Sequence, residues 1–299
     1  MIKKTCIFIL CAFLFSALMA CAGGDSGAFN SQTPIKVVSR EDGSGTRGAF
    51  IELFGIEIKH DNGDKQDTTT KEAIIAKQTD VMITNIINDP YAVGYISLGS
   101  LNSTVKAVDI DGVKASAENV KNGTYIAARP FNIVTKGEAS GLAADFISFI
   151  LSAEGQAVIG KNYIPVSDNA PVYLSGLLSS QSPAGSEPGR IVVAGSSSVS
   201  PVMEQLKEAY VKIKPDAIIE IQQSDSAAGI MSATNGTCDI GMVSRDLKAS
   251  EAEQLNKAIQ IASDGIVVII NNANPITNFT KEQVKAIFTG QTTRWSDAE

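Results

Sequence analysis

The sequence predicts an α/β protein, and three observations carry that reading. From Pro34 onward, short runs of β-branched and apolar residues alternate with helical runs, the order that stacks helices on a sheet. Three times a strand-like run passes through a Ser/Gly-rich turn into a helical run. The composition is that of an ordinary globular chain, 44% hydrophobic and 19% charged, and 299 residues supply core for about two domains or one large one.

The elements follow in order. Residues 35–38 read as a strand, 46–54 as a short helix, 71–79 as helical, and 93–98 and 132–135 as strands. Residues 142–159 read as an amphipathic helix with apolar Phe146, Ile147, Ile150 and Leu151. The stretch 175–189 (SGLLSSQSPAGSEPG) is rich in Ser, Gly and Pro and reads as a linker. A second series starts after it. Strands are expected at 191–194, 217–222, 240–243 and 266–270, and helices at 201–211, 227–233, 250–259 and 281–288.

The N-terminus carries an address. Lys3 and Lys4 precede an apolar run, 6–19, too short to span a bilayer comfortably, so 1–20 reads as an export signal. Its end, Leu18-Met19-Ala20-Cys21, resembles the lipobox of bacterial lipoproteins, which implies lipidation at Cys21. Residues 21–33 are small and polar, suited to a tether. An exported lipoprotein is expected, anchored at the outer face of the cell membrane or in the periplasm. With Cys21 acylated, Cys238 has no partner, and a buried, inert thiol is expected.

Charge and residue counts exclude several functions. With 25 Lys+Arg against 32 Asp+Glu, the net charge of −7 lacks the basic footprint of a nucleic-acid binder. His60, the one histidine, leaves little room for His-based catalysis or a multi-histidine metal site. Its loop, His60-Asp61-Asn62-Gly63-Asp64, lacks the spacing of an EF-hand. No nucleophile–histidine pair is evident, so a phosphohydrolase is a remote alternative and neither metal nor cofactor is expected.

The three turns share one design. They are Ser39-Arg40-Glu41-Asp42-Gly43-Ser44-Gly45-Thr46, Gly195-Ser196-Ser197-Ser198-Val199-Ser200-Pro201, and Ser224-Asp225-Ser226-Ala227-Ala228-Gly229. A helix start leaves N–H groups without intrahelical partners and carries partial positive charge. Serine and threonine there either cap the helix or present hydroxyls, and glycine lets backbone approach closely. One such turn is usually a cap. Three converging on one crevice, with Arg40, would bind an oxyanion through mostly neutral groups. None is a nucleotide P-loop, because Gly43-Ser44-Gly45-Thr46 lacks the lysine.

These segments resemble the periplasmic phosphate-binding proteins of ABC-type phosphate importers. The resemblance rests on SREDGSGTRGAF (39–50), GSSSVSP (195–201), QQSDSAAGI (222–230) and CDIGMVSRDLK (238–248), with VGYISLGSL (93–101) and FTKEQVKAIFTGQTTRW (279–295). It implies a two-lobed type II periplasmic-binding-protein fold with the ligand cleft between lobes. Ser197, Ser198 and Ser226 would donate to phosphate from two helix starts. Arg40 would pair with the anion, Asp42 would orient Arg40, and Ser44, Gly45 and Thr46 would close the third side. Ser244 aligns with the loop in which family members often carry Ser-Asp, but here Arg245 and Asp246 follow it. The acceptor for the phosphate proton is left open between Asp246, Asp225 and another group, and Arg245 is either a contact or a surface ion pair. Sulfate, or a sensing or adhesion role, stands as the alternative.

The order of these segments is reversed relative to the usual family pattern, as in a circular permutant. Linker 175–189 would then join the usual ends, and Glu299 would lie near Pro34. One lobe would comprise 34–97 plus 266–299 and the other 98–265. A monomer that hands inorganic phosphate to permease subunits is expected.

Overall fold

The computed structural model describes residues 29–60, 64–173, 189–256 and 258–298, and Ser31–Glu299 forms one unit. The expected signal 1–20, Cys21, tether residues 21–28, linker residues 175–188 and Glu299 lie outside the described residues.

Among the described residues ten strands share one mixed sheet, and its order explains the two lobes. On one side lie β8 (Ala128–Val134), β10 (Arg190–Ser196), β11 (Ile218–Ser224) and β12 (Ile240–Val243). On the other lie β1 (Lys36–Arg40), β4 (Ile74–Ala76) and β5 (Ala92–Ser97). Between them runs β13 (Ile259–Ile270), 12 residues long. Its first half pairs antiparallel with β8, down to Gly265 opposite Ala128, and its second half pairs antiparallel with β5, from Ile266 opposite Ser97. One continuous strand thus belongs to both lobes. Residues Ile266–Ile270 are fully buried, which is why they read as an unbroken apolar run.

Helices α1 (Gly45–Leu53), α2 (Thr79–Asn88) and α9 (Lys281–Phe288) belong to the β1/β5 lobe. Its core is aromatic: the rings of Phe50 and Tyr95 stack at 3.8 Å, and Phe50 meets Phe288 edge-on at 4.7 Å. The other lobe holds α4 (Gly141–Ile150), α5 (Ala153–Ile159), α6 (Ser200–Ile213) and α7 (Ser226–Asn235). On α6 the buried Val202, Met203, Leu206 and Tyr210 recur at helical spacing and join Phe146, Phe149 and Ile150 in one core.

Three expectations are corrected. Residues 71–79 form no helix: Ile74–Ala76 adds a parallel strand to the open edge of β1, and α2 begins only at Thr79. The helix expected over 142–159 breaks into α4 and α5, bent by 65°. Ser152 caps α5 by accepting from the Gly155 N–H (3.2 Å), and Gly155 packs on the Phe149 and Ile150 carbonyls, where a Cβ would come within 2.1 Å. Helix 250–259 shrinks to α8 (Ala249–Ala252), because Ile259 already pairs with β8.

The passage between lobes is expected from the sequence at residue 98. Strands β6 (Lys106–Ala107) and β7 (Asp109–Ile110) pair with β13 and with β14 (Asn278–Phe279). Backbone hydrogen bonds therefore keep this stretch with residues 266–279.

Candidate functional site

All three Ser/Gly turns arrive where the lobes meet. Each follows the C-terminal end of a parallel strand: β1 leads to α1, β10 to α6 and β11 to α7. That is where α/β sheets place their ligands, since loops there are free of the ladder and helix starts point inward.

Arg40, at the end of β1, is 2% exposed and fixed from several sides. Its Nε and Nη2 donate to the two carboxylate oxygens of Glu41, at 2.8 and 2.7 Å, a fork-on-fork ion pair. Nη2 also donates to Ser197 Oγ across the cleft at 2.9 Å, and Nη1 reaches Thr79 Oγ1 at 3.5 Å. Its backbone N–H donates to the Tyr95 hydroxyl (3.1 Å), whose pKa is raised by burial.

The hydroxyls form a connected, buried cluster. Thr46 Oγ1 lies 2.7 Å from Ser198 Oγ, and Ser196 Oγ donates to Ser244 Oγ at 2.9 Å. Ser226 Oγ lies 3.3 Å from Ser244 Oγ and accepts from the Ser244 N–H at 3.1 Å. Ser44 caps α1 by accepting from Arg47 N–H (3.3 Å). Gly45 is required by proximity: a Cβ there would sit 2.4 Å from Ser226 Oγ and 2.6 Å from Ser244 Oγ. The Gly43 carbonyl accepts from the Ala227 N–H at 3.2 Å, a further bond from one lobe to the other.

A second arginine, not foreseen, completes the cluster. Arg129, on β8, donates through Nη1 to Thr46 Oγ1 (2.6 Å) and to the Ser244 carbonyl (3.3 Å). Nε and Nη2 both donate to Asp264 Oδ2, at 3.2 and 3.0 Å. Burial works against both charges, raising the Asp264 carboxyl and lowering the Arg129 guanidinium, and the contact between them opposes that penalty. Sequence held a cue: each residue interrupts a run that forms a buried strand, and a charge there needs a partner.

Four sequence-predicted residues stand apart from the cluster. Asp42 does not orient Arg40. Its side chain is 95% exposed and bonds Arg47 at 2.6 Å, while Glu41 takes the expected role. Asp225 caps α7, accepting from Ala228 N–H at 2.8 Å, with Gly43 packed against its carboxylate. Arg245 is held by both oxygens of Glu251, at 2.7 and 2.9 Å, and Asp246 is exposed. Glu41 and Asp264 are therefore the carboxylates bonded to the arginines of the cluster.

Cys238 is 7% exposed, and burial pushes its thiol up to about 11, as expected of an inert core residue. No group of three or more metal-ligating side chains occurs among the described residues.

Known proteins place this geometry in context. The model of the PBP superfamily domain matches residues 25–154 and 182–299. The phosphate-binding protein PstS 2 of Streptococcus agalactiae is 51% identical over 282 residues, 94% of this chain and 92% of that one. Its namesake in Streptococcus pneumoniae is 43% identical over 282 residues, covering 93% and 92%. A crystal structure described as a phosphate ABC transporter, phosphate-binding protein from S. pneumoniae superposes with a TM-score of 0.67 at 42% identity. It spans 89% of this chain and 100% of its own. The chain thus belongs to the PBP superfamily and, within it, to the family of the phosphate-binding proteins PstS.

Proposed function

We propose that this protein is a non-enzymatic receptor that binds inorganic phosphate outside the cytoplasmic membrane and delivers it to an ABC-type import permease. One observation carries the reading: three helix starts from two lobes converge on one buried cluster of hydroxyls beside Arg40. The names of the streptococcal relatives point the same way. Closing the lobes desolvates the anion, and each hydrogen bond to a charged group then contributes roughly 1.5–3 kcal/mol.

The ligand groups in this reading are Arg40, Ser44, Gly45, Thr46, Ser197, Ser198, Ser226 and Ser244. Glu41 holds Arg40 at the correct angle. Residues 1–20 are removed on export, Cys21 carries the lipid, and the body is a monomer. The lobe boundaries fall between Val113 and Ala128 and at Gly265, which the strand pairings support.

A permuted order is supported by the meeting of residues 31–35 with 293–296. Pro34 bridges Arg294, Ile35 N–H donates to the Thr293 carbonyl at 2.8 Å, and Ser296 N–H to the Ser31 carbonyl at 2.8 Å.

Sulfate is the second reading, because Asp42, Asp225 and Asp246 are all engaged or exposed elsewhere. A carboxylate acceptor would reward the proton of hydrogen phosphate and repel sulfate, which has none to give. Calorimetric titration of the wild-type protein and of Arg40→Ala with phosphate and with sulfate tests both readings. Phosphate bound more tightly than sulfate, and lost in Arg40→Ala, is the expected result. Tighter sulfate binding, or unchanged binding by Arg40→Ala, would overturn it.

A further inference from the structure

We propose that Arg129 is a positioning residue of the oxyanion site, one that sets the direction of the Thr46 hydroxyl from across the cleft. The inference rests on the phosphate-receptor reading above and assigns this site a second arginine.

The guanidinium has donors only, so its 2.6 Å contact with Thr46 Oγ1 must be accepted by the threonine oxygen. Thr46 keeps a single proton, and with one lone pair occupied by Arg129 that proton is free to be given into the cleft, toward Ser198 or the anion. Ser198 Oγ sits 2.7 Å away, on the opposite lobe. The same logic recurs at Arg40, whose Nη2 donates to Ser197 Oγ and leaves that hydroxyl proton for Thr79 Oγ1, 3.3 Å away, or for the anion. The two contacts run in opposite directions. Arg40 reaches from the β1 lobe to a serine of the other, and Arg129 reaches from β8 back to a threonine of α1.

Arg129 is suited to this by how it is held. Asp264 accepts from its Nε and Nη2, and the Phe131 ring lies 5.1 Å from the guanidinium carbon. Nη1 serves both Thr46 and the Ser244 carbonyl. Asp264 lies on β13 beside Gly265, where that strand changes partners from β8 to β5. The residue that orders Thr46 is thus anchored at the passage between lobes, and the contact forms only when α1 lies against the other lobe.

The test is a coupling measurement. Removing Arg129 alone strands a buried carboxylate, so the charge-neutral Arg129→Gln/Asp264→Asn is used. Arg129→Met/Asp264→Leu serves as a second variant, because apolar replacement of a buried ion pair usually preserves folding. Thermal unfolding checks each. Phosphate and sulfate affinities are then measured by calorimetry in Thr46 and Thr46→Val backgrounds. Loss of one hydrogen bond to a charged group predicts about ten- to hundredfold weaker binding for Thr46→Val and for either Arg129 variant. Because Arg129 acts through Thr46, the combined variants should bind no more weakly than Thr46→Val alone, and Thr46→Ser should restore the effect of Arg129.

Affinity unchanged in both folded Arg129 variants, or losses that multiply with Thr46→Val, would overturn the proposal. A wild-type protein that binds neither anion would overturn the receptor reading and the proposal together. Wild-type binding with an indifferent Arg129 would sink the proposal alone.

Discussion

Glu41 and Asp42 are adjacent acids beside the same arginine, yet only one serves it. Glu41 has the reach to fold back and present both oxygens to Arg40, whereas Asp42 ends in solvent on Arg47. Exposed ion pairs contribute little, and a fork-on-fork pair on a buried guanidinium contributes both energy and aim. Glu41→Gln should therefore weaken phosphate binding by at least about 1 kcal/mol, while Asp42→Asn leaves it nearly unchanged. Calorimetry on the two variants checks this, and the opposite ranking would restore Asp42 to the site. The hydroxyl-bearing residues could be named from sequence because the same Ser/Gly turn recurs at three helix starts, where one alone would only be a cap. Which acid faces which arginine was not, since adjacent side chains differ only in where the turn aims them.

At the scale of elements, the start of α1 approaches the opposite lobe too closely for any side chain at position 45. An alanine Cβ at position 45 would collide with Ser226 and Ser244, both on the opposite lobe. Gly45→Ala should cost about 1–3 kcal/mol of phosphate affinity through overpacking, with little change in thermal stability. Equal losses in both would show that the clash is present in the open protein as well.

A second prediction belongs to the packing of α4 on α6. Burial would raise the Asp145 carboxyl, but bonds from Lys214 (2.8 Å), Tyr210 and Tyr173 (2.7 Å) outweigh it and hold the pKa below its ordinary value. A folded value below the unfolded one means stability that is complete above the ordinary 3.8 and is lost as pH falls through the folded value. The stability gap between wild type and Asp145→Asn, followed by denaturant titration, should be largest near neutrality and shrink in that acid range. A gap independent of pH would contradict the assignment. Elements with strong internal signals, such as α9 with its Thr280/Gln283 capping box, match sequence expectation to the residue. Those at 71–79 and 250–259 do not, because a neighbouring strand edge offered their backbones better partners than a helix would.

On the scale of the whole molecule, the termini of the described body lie together, with residues 31–35 hydrogen-bonded to 293–296. A chain relinked from Glu299 to Ser31 and opened within 175–188 should fold and bind phosphate with unchanged affinity, since closely spaced surface termini tolerate exchange. Failure to fold would show that the present order is itself needed to assemble the sheet.

Sequence alone determined the fold class, the three Ser/Gly helix starts and the family resemblance, because each rests on local chemistry: alternation of patterns, helix-start serines, close-approach glycines. Tertiary structure alone decided the rest. It put β13 in both lobes, paired β6 with β13 and β7 with β14, chose Glu41 over Asp42, and brought Arg129 to Thr46 across 83 positions of chain. Those outcomes depend on which strand edges and buried charges meet in space, and no spacing along the chain records that.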